Sequence, residues 1–281
     1  MVCIVHEDEV EPVHVGRGAR RRALLDRVRI PGTRVLADRI DLDPGGRFDL
    51  ELHGDSLGWF LVLGGSLQLE LDGAVHALQE AHAVVLPIGC RAALTAASAG
   101  ARLLLAEVPQ APRLDPGIAA NPPQLRIVDW AHEPVLDSKH DARRRIYVAT
   151  PKLTGNKALK AEIIVYPPHT DGSNHHHEGA EHFMYVIAGE SIGYSDEVPH
   201  AYKAGDLVYH PDGERHYTST GAVGKTFIEF FVPAEYRTVW VDDQRVCTWE
   251  PTGRDSRGGK PSREIAAHDS KSAAVAVPED L

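Results

Sequence analysis

Residues 167–190 read Pro-Pro-His-Thr-Asp-Gly-Ser-Asn-His-His-His-Glu-Gly-Ala-Glu-His-Phe-Met-Tyr-Val-Ile-Ala-Gly-Glu. Five histidines (169, 175, 176, 177 and 182) and two glutamates (178 and 181) crowd the start of an apolar run that ends at Gly189. A second segment, Gly205-Asp206-Leu207-Val208-Tyr209-His210-Pro211-Asp212-Gly213-Glu214-Arg215-His216, adds two more histidines. Imidazoles gathered at the start of a strand are costly to bury without a partner, and the usual partner is a metal ion. In an extended strand alternate residues share a face, so His175 and His177 point together and His176 points away. His182 and His216 arrive from separate segments, and four imidazoles from three places can converge inside a barrel. Neutral nitrogen ligands suit Fe(II), Mn(II), Ni(II), Cu(II) or Zn(II), whereas Mg and Ca prefer oxygen.

Around this stretch the chain reads as short β-rich runs separated by turn signals. Examples are Thr33 to Leu42, Trp59 to Leu63, Ser66 to Leu71 and Ala83 to Leu86. Asp72-Gly73 between LQLEL and AVHAL is a two-residue hairpin signal. The two halves repeat with an offset of 124 residues: Gly65 matches Gly189, Pro87 matches Pro211, and Val108-Pro109 matches Val232-Pro233. At that offset Glu51 stands for His175, His53 for His177, Gly58 for His182 and Ala92 for His216. The first half therefore reads as a scaffold without the site.

The pattern resembles the cupin superfamily, and the duplication resembles its bicupin branch. His175-x-His177, four residues, His182, six residues and Gly189 follow the family's first motif. Gly205-x5-Pro211-x-Gly213-x2-His216 follows its second. Three departures stand out. His169 replaces the opening glycine, Thr220 replaces the closing asparagine, and His182 stands where the family usually has a glutamate ligand. The motif spacing favours His182, while a one-residue bulge would put Glu181 in its place.

The resemblance implies an all-β chain of two tandem jelly-roll β-barrels, often associated as a homodimer. The expected organisation is a lead-in over 1–20, a degenerate cupin over 21–112, a Pro-rich linker over 113–124, a metal-binding cupin over 125–245 and a flexible tail over 246–281. His175, His177, His182 and His216 would hold one divalent transition metal per chain, Fe(II) foremost. Glu181 would act as a base on a small enolisable or aromatic substrate in a dioxygenase. A non-redox isomerase, lyase or hydrolase is the alternative, and a non-enzymatic binding cupin a further one. Fold alone names no reaction.

Composition bounds the rest. A formal net charge of -10 with no long basic stripe argues against a nucleic-acid partner. Cys3, Cys90 and Cys247 lie far apart with no CxxC spacing, which suits a reducing compartment. The N-terminus has no apolar signal-like core and no stretch approaches a membrane span. The expectation is a cytoplasmic protein acting on a small molecule.

Overall fold

A computed structural model describes residues 2–242 and 246–269 of the chain. It is built almost wholly of antiparallel strands that divide between two compact units. Of the described residues, one unit takes 6–130 and 154–158; the other takes 2–5, 131–153, 159–242 and 246–269. In the first, Arg126–Asp129, Leu57–Leu71, Arg91–Val108, Leu36–Leu42 and Ala19–Leu25 belong to one sheet. In the second, His175–Glu178, His216–Ser219, Glu181–Ser195, Lys225–Val232, Lys160–Tyr166 and Arg144–Ala149 follow one another side by side. Each sheet curls so that alternate residues face an interior, as a jelly roll requires.

The internal repeat is visible in the strand boundaries. Leu57–Leu71, Ala74–Gln79 and His82–Leu86 recur 124 residues later as Glu181–Ser195, Val198–Lys203 and Asp206–His210. The irregularities recur as well. The ladder slips after Val62 in one unit and after Val186 in the other, and again after Ala23 and Tyr147. Gly65 and Gly189 both have positive φ, at 76° and 79°. A Cβ there would lie 2.1 Å from the Gly100 carbonyl oxygen and 1.9 Å from that of Gly224. Both glycines thus carry a close backbone crossing that no other residue fits.

At the first ligand-bearing strand the repeat is not gapless. Phe48, Leu50 and Leu52 are buried in the first core, while Glu51 and His53 are exposed. Leu50 pairs with Ala92 across the strands, as His175 pairs with His216. Leu50 and Leu52 therefore occupy the positions of His175 and His177, an offset of 125 rather than 124. A slip of one residue exchanges the faces of a strand. His53 is thus no remnant ligand; it sits outside, with Nδ1 2.8 Å from a Glu107 carboxylate oxygen.

Three boundaries also differ from expectation. The lead-in is structured: Cys3–His6 pairs with Asp206–His210, and Val13–Gly16 forms a hairpin with Ala19–Leu25. The segment after the prolines, Arg126–Asp129, pairs with His82–Leu86 and so completes the first unit. In the expected tail, Thr248–Pro251 pairs with Leu136–Ser138, and Trp249 is wholly buried. An indole of that size is a core anchor, which polar neighbours in the sequence had masked. The remainder of the tail, 270–281, lies outside the described residues. Among the described residues no helix is long and apolar enough to cross a membrane.

Candidate metal centre

His175 and His177 lie on one strand, and His216 faces His175 from the neighbouring one. One nitrogen from each of the three comes within 4.8 Å of the others. His175 Nδ1 lies 2.8 Å from the Ser173 carbonyl oxygen, and His216 Nδ1 lies 2.9 Å from that of Glu214. A carbonyl can only accept, so both rings carry their proton on Nδ1 and present a bare Nε2. The Thr238 hydroxyl, 3.1 Å from His177 Nδ1, holds the third ring in place; a hydroxyl can donate or accept.

Burial holds the His175 imidazole down at about 4. His177 and His216 are pushed well below the ordinary histidine value, first by burial and then by neighbouring histidines, His175 foremost for the one and His210 for the other. All three are neutral at physiological pH, the state in which imidazole binds a metal. The Nε2 of His216 is buried with no hydrogen-bond partner. Such an orphan lone pair is costly unless something fills the space before it. A transition-metal ion fits: nitrogen donors, convergent lone pairs, and a spacing that small side-chain adjustments bring to the ~2.0–2.1 Å of a metal–imidazole bond.

His182 lies beside this group. Its ring centroid is 5.3 Å from that of His177 and 5.0 Å from that of His216. Its Nε2 donates to Glu229 Oε2 at 3.1 Å, which leaves Nδ1 buried without a hydrogen-bond partner. The structure thus brings three of the four expected ligands into one group, with the fourth ring adjacent and turned toward a carboxylate.

Glu181 does not join the cavity. It follows the strand alternation onto the opposite face, where the Tyr209 hydroxyl donates to it at 2.9 Å. Two carboxylates line the cavity, Glu229 and Asp269, and Glu229 is the one that reaches His182. Its signal in the sequence was a lone acid inside the buried run Lys225–Val232. Burial alone would raise this acid, but the hydrogen bond and charge of His182, with Glu162 and Arg145, bring it below the ordinary range. Glu162 faces Glu229 directly across the strands, and burial pushes it up to about 7 against the pull of Arg145 and Lys160. Two acids placed opposite each other repel. Arg145, 3.0 Å from Glu162 and 3.9 Å from Glu229, and Lys160, 3.1 Å from Glu162, offset that repulsion.

The other singled-out histidines have local roles. His176 turns away from the cluster toward Glu178, at 3.2 Å. His210 donates from Nδ1 to Glu214 at 2.9 Å and stacks 4.3 Å from His216, so it props that ring. His169 has φ +55°, the left-handed conformation that the family's glycine would adopt without strain. Trp240 lies 4.8 Å from the His175 ring and closes one side of the cavity; its place in the sequence carried no signal.

Residues 162–224 match the family model described as a cupin domain. No curated protein matches the chain in sequence. A solved structure of oxalate decarboxylase from Bacillus subtilis is similar, with 16% identity and a TM-score of 0.67 over 85% of this chain and 79% of that one. The protein Ylba from E. coli is similar at 14% identity and TM-score 0.66, over 83% of this chain and 91% of that one. At such identity the likeness is one of fold. The chain thus resembles the cupin superfamily, with a cupin-domain match over 162–224 and a fold of two tandem jelly-roll barrels like that of the bicupins.

Proposed function

We propose that the protein is a mononuclear metal-dependent enzyme, its ion held by His175, His177 and His216, and that it acts as a non-haem dioxygenase on a small oxygen-rich substrate. The observation that carries this reading is the convergence of three neutral, pinned imidazoles in a buried cavity, with no carboxylate among them. A divalent ion there supplies a Lewis acid and, if it is iron, a point where substrate and O2 can meet. Because its ligands are uncharged, the centre keeps its full positive charge and favours an enolate or carboxylate.

The chain's own groups do the rest. Trp240 and Phe231 wall the cluster with apolar surface and limit water. Glu229 holds the His182 ring through Nε2, leaving its Nδ1 as the fourth nitrogen that can join the set. As the cavity carboxylate that reaches the histidines, Glu229 replaces Glu181 in this reading.

A non-redox lyase is the second reading. It is favoured by the acid, arginine and lysine side chains of the cavity wall and by the likeness to an enzyme whose name states decarboxylation of oxalate. The test is elemental analysis of protein purified without added metal, followed by oxygen uptake with enolisable diketones and catechol-like acids. Iron near one per chain with oxygen consumption supports the dioxygenase. Turnover that persists without oxygen moves the assignment to the lyase. Absence of any stoichiometric metal ends both.

A further inference from the structure

The second barrel is polar at interior positions where the first is apolar, beyond the histidines themselves. Leu67, Leu69 and Leu71 line the first core; their counterparts are Ser191, Gly193 and Ser195. Leu78, Leu94 and Ala101 become Tyr202, Thr218 and Lys225. The hydroxyls of Ser191, Ser195 and Tyr202 are buried, with those of Ser195 and Tyr202 beside each other. Lys225 is 1% exposed. Its Nζ lies 3.2 Å from Thr218 Oγ1 and 3.8 Å from Met184 Sδ, and 4.3 Å and 5.4 Å from the ring centres of Phe227 and Tyr202. Among the described residues no carboxylate forms an ion pair with it, unlike Arg143, Arg145 and Lys160 nearby.

A buried ammonium with aromatic faces and one hydroxyl has its charge only partly compensated. Burial accordingly lowers the Lys225 amine to about 7. Thr218, Met184, Tyr166 and Phe227, which surround it, also line the cavity that holds the histidines. Thr218 shares an inward face with His216 two residues away, a step of about 7 Å along a strand. Lys225 itself stands behind this wall, with its ammonium on the Thr218 hydroxyl.

We propose that the Thr218 hydroxyl, backed by the Lys225 ammonium that donates to it, forms an anion subsite that holds a carboxylate of the substrate whose other oxygen groups reach the histidine cluster. The substrate class is then a short-chain acid with a second oxygen function. This rests on the metal-enzyme reading above and sharpens it.

The experiment is calorimetric titration of metal-reconstituted protein with succinate and, as the uncharged match, succinamide. Lys225→Met should weaken succinate at least tenfold, leave succinamide unchanged and keep the metal content of the wild type. Thr218→Val should weaken succinate at least threefold, and it leaves the buried amine in place should Lys225→Met fail to fold. Equal succinate affinity in wild type and Thr218→Val or Lys225→Met overturns the subsite, as does a wild type that binds no succinate while holding metal. A wild type that holds no metal removes the enzyme reading beneath it, so the two failures are distinct.

Discussion

Strand Leu57–Leu71 of the first unit and strand Glu181–Ser195 of the second have the same length, bulge and glycine crossing. One carries Gly58 where the other carries His182. The same holds elsewhere: Leu50, Leu52 and Ala92 fill the first barrel where His175, His177 and His216 stand in the second. The backbone devices are shared and the interior chemistry is not. The comparison also sorts the buried charges. Arg21 and Asp38, 2.8 Å apart in the first unit, match Arg145 and Glu162 in the second, and burial raises Asp38 to about 6 as it raises Glu162 to about 7. An ion pair kept in the barrel that has no histidine site belongs to the scaffold. Glu229 has no such counterpart, because Leu105 holds its place; it accompanies the histidines.

The largest expected asymmetry is in metal content. His216→Ala or His177→Ala should remove most of the bound ion while circular dichroism stays unchanged. His53→Ala should leave the ion in place. One metal per chain fits an empty first barrel; two per chain would break the comparison outright.

Symmetry should return when the shared backbone is attacked. Gly65→Ala and Gly189→Ala each force a Cβ into a carbonyl oxygen at positive φ. Each should destabilise its unit by about 3 kcal/mol in denaturant unfolding. If only one of the two is sensitive, the repeat is looser than the strand boundaries indicate.

Glu229→Leu gives the second barrel the first barrel's residue. It leaves the His182 Nε2–H without its acceptor and removes one acid from the Arg145 and Lys160 neighbourhood. Metal affinity should fall ~10–100-fold in chelator competition, the usual cost of losing a carboxylate behind a histidine ligand. Glu229→Gln keeps an acceptor and should lose less. Equal and undiminished affinity in both would mean that His182 takes no part in holding the ion.

Much of this was legible from spacing. HxH alternation placed His175 and His177 on one face, and the 124-residue offset located the turns. The Asp72-Gly73 hairpin was plain, because both residues need positive φ and glycine advertises it. Its counterpart Asp196-Glu197 makes the same turn at φ 46° and 67° without a glycine, so no local signal showed it. The slip that replaces His53 by Leu52 was hidden because motif spacing counts residues and not faces. Glu181 was expected as a base; strand alternation sends it and His182 to opposite sides, with Glu181 on Tyr209 and His182 on Glu229. The pairing of Glu229 with His182, 47 residues apart, depends on strand register, which no local window contains.

The smallest effect concerns a single backbone angle. His169 has φ +55°, and the equivalent Gly45 has φ +67°. A non-glycine residue in the left-handed region strains its Cβ against the following carbonyl, at roughly 1–2 kcal/mol. Glycine relieves that strain but loses more entropy on folding, by ~0.5–1 kcal/mol. The His169 side chain is exposed, and its structural bond is the backbone N–H to the Gly221 carbonyl at 2.8 Å, which glycine keeps. His169→Gly should therefore stabilise the second unit by about 0.5–1 kcal/mol with metal content unchanged. The mirror change, Gly45→Ala, meets no atom within 4 Å of the new Cβ, so its cost is purely conformational. It should destabilise the first unit by a similar amount. If His169→Gly instead costs stability or metal, the imidazole does work at the mouth of the second barrel that the backbone comparison does not contain.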